Sequence, residues 1–443
     1  MGKRDEPQLD GLAPVTVAGA PLAESALVHA ARRDPGLPDG AGRAAEPADP
    51  DTARGLIGVT VAGWLGNILS YLLLLAAARS LHADDYGQLV TLLNLLLIGS
   101  VPSFALQAVG ARRVATGQPD GLAEVGAMVG LGAALVLAAL SPLLVAFLHL
   151  PGPAGPLLVA ATTLGTALQG LCQGIWQGRQ RFSGLAATTF AGTAGRSAAG
   201  LLGLLVGGTA IWAMVALTVG TTLAAAGSAL TLPQLRTRTT AGWRVLKPLL
   251  LECGSAAHAY GVFLLLSVAD VLLARHVLPA AAAAGYAAGS VVTKGCLWLP
   301  QSVANVLFAS LTDSDRHHRL FARAVASIAG LGALLTAGCW LLGPLVTRIV
   351  GGSGYASLHS EMWIFALLGS SLAVIQFTLV AGLAVRSVAV TAVVWLSVLA
   401  EVVAVLGVAG HPSVRLVAEL VCAINVVAAA VATLGRLRLR SAA

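Results

Sequence analysis

Ionic side chains inside apolar runs are where this sequence could do chemistry. The stretch SVADVLLARHVLPAAAAAGYAAGSVVTKGCLWLP, residues 267–300, carries Asp270 and Lys294 within apolar helix-forming runs and Arg275 near a Pro-marked turn. Arg196 stands mid-run in FAGTAGRSAAGLLG, Glu401 stands mid-run further on, and Arg79 closes an early run. A charge at the centre of a bilayer costs roughly 2.5–3.5 kcal/mol on insertion scales, so such residues point to an internal cavity or an ion pair. Arginine offers bidentate contact to phosphate or carboxylate, and lysine a mobile point charge. Arg196 and Lys294, with Arg79 and Arg275 at the outer mouth, therefore suit an anionic passenger such as a phosphate or pyrophosphate. Asp270 and Glu401 suit a coupling proton or sodium ion. The competing readings are an Asp270–Lys294 salt bridge that pins two helices, and snorkelling of Arg79 and Arg275 to outer headgroups. At 1.5 Å per residue Asp270 and Lys294 differ in depth by about 7 Å, which a lysine side chain largely spans.

Catalytic chemistry finds little support. Asp84-Asp85 in HADDYG is an acidic pair, but its connection is short and reads better as a solvated turn and helix start. No GxxxxGK[ST] phosphate loop is present. The five cysteines lie in or beside apolar runs without CxxC spacing and read as small buried hydrophobes. The nine histidines are scattered. No catalytic residue, metal site or cofactor is expected.

The elements that must position these charges follow from composition. The chain has 443 residues, 57% hydrophobic and 11% charged, with mean hydropathy +0.82. Repeated apolar runs of roughly 20 residues predict an all-α polytopic membrane protein. Twelve spans are predicted, near 56–78, 87–109, 125–148, 156–177, 184–206, 209–232, 254–276, 283–309, 324–347, 362–384, 388–409 and 413–434. The formal charge of +7 is then no nucleic-acid signal. Sorted by side, Arg79, Arg275, Arg348 and Arg415 fall outside and the other loop arginines and lysines inside, so both termini are expected in the cytoplasm. Residues 1–54, rich in Ala, Pro, Gly, Asp and Arg, read as a disordered cytoplasmic tail.

The longest connection divides the spans into two halves. The expected organisation is a bundle of six helices over 55–234, a cytoplasmic linker over 235–250, a second six-helix bundle over 251–435 and a tail over 436–443. Each half opens alike: Ala78-Arg79 and Ala274-Arg275 end a helix, and Tyr86 and Tyr286 follow just inside the next. Pro102 and Pro300 then interrupt corresponding helices, as bend points or static kinks. Two halves of even span number share one orientation and enclose a central cavity.

GNILSYLLLLAAARSLHADDYGQLVTLLNLLL, together with ADVLLARHVLPAAAAAGYAAGSVVTKGCLWLPQSVANVLFASLTD, resembles Wzx-type flippases of polysaccharides and lipid-linked oligosaccharides. These belong to the multidrug/oligosaccharidyl-lipid/polysaccharide exporter superfamily. The likeness covers about residues 56–435 and is spread along helices. It implies a V-shaped pair of six-helix bundles and passage of a polyprenyl-pyrophosphate-linked glycan from inner to outer leaflet, in the cell membrane. It also implies coupling to an ion gradient and places Arg196, Asp270 and Lys294, with Arg79 and Arg275, in the transport path. Membrane lipids and polysaccharide assembly proteins are the implied partners. Twelve spans argue against the related fourteen-span peptidoglycan lipid flippases. The rivals are a cation-coupled small-molecule antiporter, a membrane glycosyltransferase using Asp84-Asp85, and a non-transporting scaffold.

Overall fold

The computed structural model describes residues 50–235, 241–308, 317–383 and 388–441. Most of the expected N-terminal tail, and Arg236, Arg238, Arg316 and Arg386, lie outside the described residues. Among the described residues there is no strand. That follows from the composition, because a helix satisfies its own backbone hydrogen bonds in hydrocarbon.

The helices are α1 (Pro50–Ser80), α2 (Ala83–Gly99), α3 (Val101–Ala115), α4 (Leu122–Ala139), α5 (Ser141–Phe147), α6 (Ala154–Gly178), α7 (Phe182–Phe190), α8 (Arg196–Gly207) and α9 (Ala210–Leu230) in the first half. The second half has α10 (Trp243–Val277), α11 (Ala280–Phe308), α12 (His317–Leu341), α13 (Gly343–Gly351), α14 (Met362–Leu383), α15 (Val388–Gly407) and α16 (Val414–Ser441). A π turn, Ala191–Gly195, joins α7 to α8. Among the described residues ten helical runs are long and apolar enough to cross a membrane. With the runs 182–207 and 280–308 they make the twelve expected crossings, and the chain is a multi-pass membrane protein.

Several boundaries differ from the sequence expectation, each for a local reason. The third and ninth spans are broken in the same place, α4/α5 before Ser141-Pro142 and α12/α13 before Gly343-Pro344. Proline suits the first turn of a new helix, where its missing N–H is no loss. The second span breaks at Ser100, with Pro102 in the first turn of α3. Helix α11, by contrast, runs on through position 300. Helix α10 begins at Trp243, within the stretch expected to link the halves, and extends for 35 residues.

Contacts group α1–α9 and α10–α16 into two bundles, with α10 on the seam against α2, α3 and α4. We call the face carrying Arg112, Arg113, Arg179 and Lys247 the basic face. On the opposite face the bundles share one apolar core, in which Tyr86 and Leu89 of the first half meet Tyr286 and Ala284 of the second. Toward the basic face the first bundle has a separate core of Leu106, Val125, Leu171 and Ile175. Leu249, Cys253 and Ala256 of α10 belong to that second core. Among the described residues, then, the halves share a core on one side, while on the other α10 alone joins the core of the first bundle. Helix α1 shows the same sidedness. Ile57, Val61, Trp64, Leu65, Ile68 and Leu72 form an exposed apolar flank suited to lipid. Tyr71, on another flank, brings its hydroxyl 3.8 Å from where a Cβ on Gly295 of α11 would lie.

Candidate functional site

In the first bundle Arg196 is the one ionic side chain in the middle of an apolar run. The π turn sets the register of Arg196, the first residue of α8. Such insertions lie frequently at functional sites. The turn is held against α1 by a close crossing: a Cβ on Gly66 would collide with Thr193 Oγ1, so only glycine fits. One step along, Ser70 Oγ and Ser197 Oγ are hydrogen-bonded at 2.7 Å. Around them the bundle is rich in hydroxyls, including a Thr162–Thr218 bond of 2.8 Å. Most of these hydroxyls donate to carbonyls of their own helix, as Thr163 and Thr221 do. Gln169 donates to the Thr188 carbonyl at 2.6 Å and leaves its buried Oε1 without a partner. Arg196 is half-buried, and among the described residues it has no ion-pair or hydrogen-bond partner.

The second bundle answers its cation with acids. Asp270 of α10 and Glu401 of α15 are 3% and 0% exposed. Lys294 of α11, half-buried, interacts electrostatically with both, more strongly with Asp270. No direct ion pair joins Lys294 to Asp270; the ammonium instead donates to the carbonyl of Ser267, one turn before it. Tyr286 Oη donates to Asp270 Oδ2 at 3.2 Å, and its ring lies edge-on to Phe365 at 5.1 Å. Asn425 Nδ2 of α16 donates to Glu401 Oε1 at 2.5 Å. A close crossing again fixes the frame, since a Cβ on Gly369 of α14 would meet the carbonyl of Thr293. The structure thus brings together Asp270, Lys294 and Glu401, and holds Arg196 apart in the other bundle.

Arg79 and Arg275 take a third position, on the opposite face, and each reaches across the seam. Arg275 of α10 is 6% exposed. Its Nη2 donates to Asp84 Oδ1 at 2.9 Å and its Nε to the Leu148 carbonyl at 3.3 Å, just past the end of α5. His276 follows it, with Nδ1 2.8 Å from the Phe147 carbonyl and its ring stacked on Phe147 at 4.2 Å. Arg79 of α1 donates from Nη2 to the Ile349 carbonyl, in the last turn of α13, at 2.8 Å. The repeat is now physical. In each half an arginine ending the first span grips carbonyls at the C-terminal end of the short broken helix of the other half, where the helix dipole favours a cation. At the basic face Glu252 of α10 pairs with both Arg112 and Arg113 of α3, the latter at 2.6 Å.

Sequence reasoning did not find Tyr286 as the partner of Asp270, Asn425 as that of Glu401, or Asp84 as that of Arg275. Asn425 carried a signal, a lone amide within VCAINVVAAAV. Among the described residues no group of three His, Cys, Asp or Glu is placed to hold a metal ion.

Two bundles of this topology define a membrane transporter fold. The chain is similar to the lipid II flippase MurJ in an inward closed conformation, with a TM-score of 0.67 and 11% identity over 86% of this chain and 87% of that one. It is similar to an inward-facing multidrug resistance MATE family transporter of the MOP superfamily, with a TM-score of 0.63 and 13% identity over 87% and 98%. It is also similar to a MOP superfamily transporter from Pyrococcus furiosus, at 0.53 and 13% over 88% and 96%. At these identities the likeness is one of fold. No curated protein matches it in sequence. The profile of the polysaccharide biosynthesis protein family matches residues 78–360, and the chain belongs to that family.

Proposed function

We propose that the chain moves a polyprenyl-pyrophosphate-linked oligosaccharide from the inner to the outer leaflet of the cell membrane by alternating access, serving cell-surface polysaccharide synthesis. The basic face is then cytoplasmic. The headgroup enters between the bundles from that face while its lipid tail stays in the bilayer. Rocking breaks the Arg275 and Arg79 grips on the outer face and opens a path outward. Both arginines are then free to meet the departing pyrophosphate. No covalent bond changes; the protein lowers the barrier to moving a charged, hydrated group through hydrocarbon. Asp270 and Glu401 hold the coupling cation.

The observation that carries this reading is Arg196, a mid-membrane guanidinium without a protein counter-ion among the described residues. An isolated charge there is unfavourable unless something else completes it. A pyrophosphate does so, and Lys294 offers it a second cation from the facing bundle. A leaflet-accessibility assay in vesicles with a fluorescent polyprenyl-pyrophosphate glycan tests it. Replacing Arg196 or Lys294 by alanine removes a charged contact worth about 1.5–3 kcal/mol, which slows flipping roughly 10- to 150-fold. Unaltered flipping in both correctly inserted variants refutes the site. A cation-coupled small-molecule antiporter shares this fold; it would expel its substrate under a proton or sodium gradient without any lipid-linked glycan.

A further inference from the structure

The second bundle contains a titratable group whose ligand the hydrogen bonds themselves suggest. Glu401 is fully buried, and only one of its oxygens is satisfied: Oε1 accepts from Asn425 Nδ2, while Oε2 has no partner. Asn425, also 0% exposed, has the mirror-image defect, its Oδ1 accepting from nothing. A side-chain amide offers one donor edge and one acceptor. An ionised carboxylate is an acceptor only and leaves the Asn425 oxygen unanswered. A neutral carboxylic acid has the complementary pair, an acceptor and an O–H donor. Unmade hydrogen bonds in a dry interior are unfavourable, so two orphaned oxygens on one interacting pair call for an explanation.

Charge points the same way. The groups that face Glu401 are Asp270 from α10, Lys294 and Tyr286 from α11, and Asn425 from α16. They include one ammonium and one further carboxylate. Asp270 accepts from Tyr286 at Oδ2, while its Oδ1, like Glu401 Oε2, is without a partner; only Glu401, however, has an amide beside it with an unanswered acceptor. One ammonium therefore faces two carboxyl groups and is joined by a direct ion pair to neither. With both acids ionised the cluster carries one net negative charge inside the bundle; with one proton it is neutral.

We infer that Glu401 and Asn425 form a proton-binding site, in which Glu401 carries the proton on Oε2 in the conformation described here. Release breaks the Oε2–H bond, leaves the electron pair on the carboxylate and passes the proton to water admitted when the bundles rock. The inference deepens the transport reading by naming the coupling ion, and rests on that reading only for the use made of the proton.

Infrared spectroscopy of the full-length protein in liposomes tests the site without transport. The carbonyl stretch of a protonated carboxyl, separate from carboxylate bands, is expected at neutral pH in the wild type and absent in Glu401→Gln. Glutamine supplies an N–H where the acid supplies O–H, so this variant keeps the Asn425 pairing and is expected to melt within a few degrees of the wild type. In Lys294→Met the band is expected to grow about twofold, because Asp270 loses its counter-ion and takes a proton as well. Absence of the band in the wild type, or its persistence in Glu401→Gln, overturns the proposal. So does a melting temperature raised by sodium chloride but not by choline chloride, which would put an alkali cation at the orphaned oxygens.

Discussion

The two bundles solve the problem of a charge in hydrocarbon in opposite ways. Among the described residues the first leaves Arg196 without a protein partner, amid hydroxyls that mostly bond to their own helices. The second surrounds Lys294 with Asp270, Glu401, Tyr286 and Asn425 on four helices. A charge whose partners are all protein belongs to the folding of its bundle as much as to any ligand. A charge without such partners is an expense to folding, which is understandable where a ligand supplies the other half. The halves are alike in their broken third helices and their arginine grips, yet not in this central feature. In the transport reading proposed above, the repeated parts would serve symmetric tasks, opening and closing, and the divergent parts substrate binding and ion handling.

Stability measurements can break that contrast. Lys294→Met removes the cation facing buried Asp270, which must then take up a proton to fold at neutral pH, so the variant should lose up to about 3–5 kcal/mol there. The loss should shrink as pH is lowered, because protonating Asp270 removes the uncompensated charge. Thermal melting in detergent across pH reads both effects. Arg196→Met should do the reverse. It removes an insertion penalty of roughly 2.5–3.5 kcal/mol, part of which is already relieved by the residue's half-exposure, so the melting temperature should rise while flipping is lost. Loss of stability in both variants would show that Arg196 too is a structural cation, and the contrast would fail.

Much of this was legible in the sequence, because hydrophobic runs of bilayer length and the sorting of basic residues act locally and leave plain signals. Twelve crossings, two halves and all the central charges could be read that way. The grouping of those charges could not. Depth along a helix allowed Asp270 to meet Lys294, yet rotation about the helix axis decided that the ammonium donates to the carbonyl of Ser267 instead. Asp84 and Arg275 lie 191 positions apart, and nothing in HADDYG distinguishes an acid that will cross a seam from one that caps a turn. The π turn before Arg196 has no residue signature either, since Ala, Gly and Thr suit an α-helix in a membrane equally well. One signal was present and unread: LSPLLV and LGPLVT, at 140–145 and 342–347, stand at the same place in each half and mark the two short helices that the arginines grip.

The grips sharpen the comparison where the halves are alike. Arg275 is nearly buried and bonds Asp84 and the end of α5, whereas Arg79 is exposed and holds one carbonyl of α13. Arg275→Ala should therefore loosen the outer seam by on the order of 2–3 kcal/mol, less whatever water already screens at Asp84. Amide hydrogen exchange at the turn between α10 and α11 should quicken by roughly 30- to 150-fold if opening of the seam limits it. Asp84→Arg should quicken it too, and Arg275→Asp in the same chain should restore part of the protection, since the reversed pair can still form.

Arg79→Ala is the smallest of these perturbations and the most informative about symmetry. An exposed guanidinium on a single carbonyl is worth under about 1 kcal/mol, so exchange at the end of α13 should quicken no more than about fivefold. If the two grips open together, as a rigid rocking of one bundle against the other requires, the same modest quickening should appear at the α5–α6 turn, on the far side of the seam. Quickening confined to α13 would mean that the grips release separately. The outer face would then open from one edge, and the pseudo-symmetry of the arginines would be an inheritance of the duplication without a part in the motion.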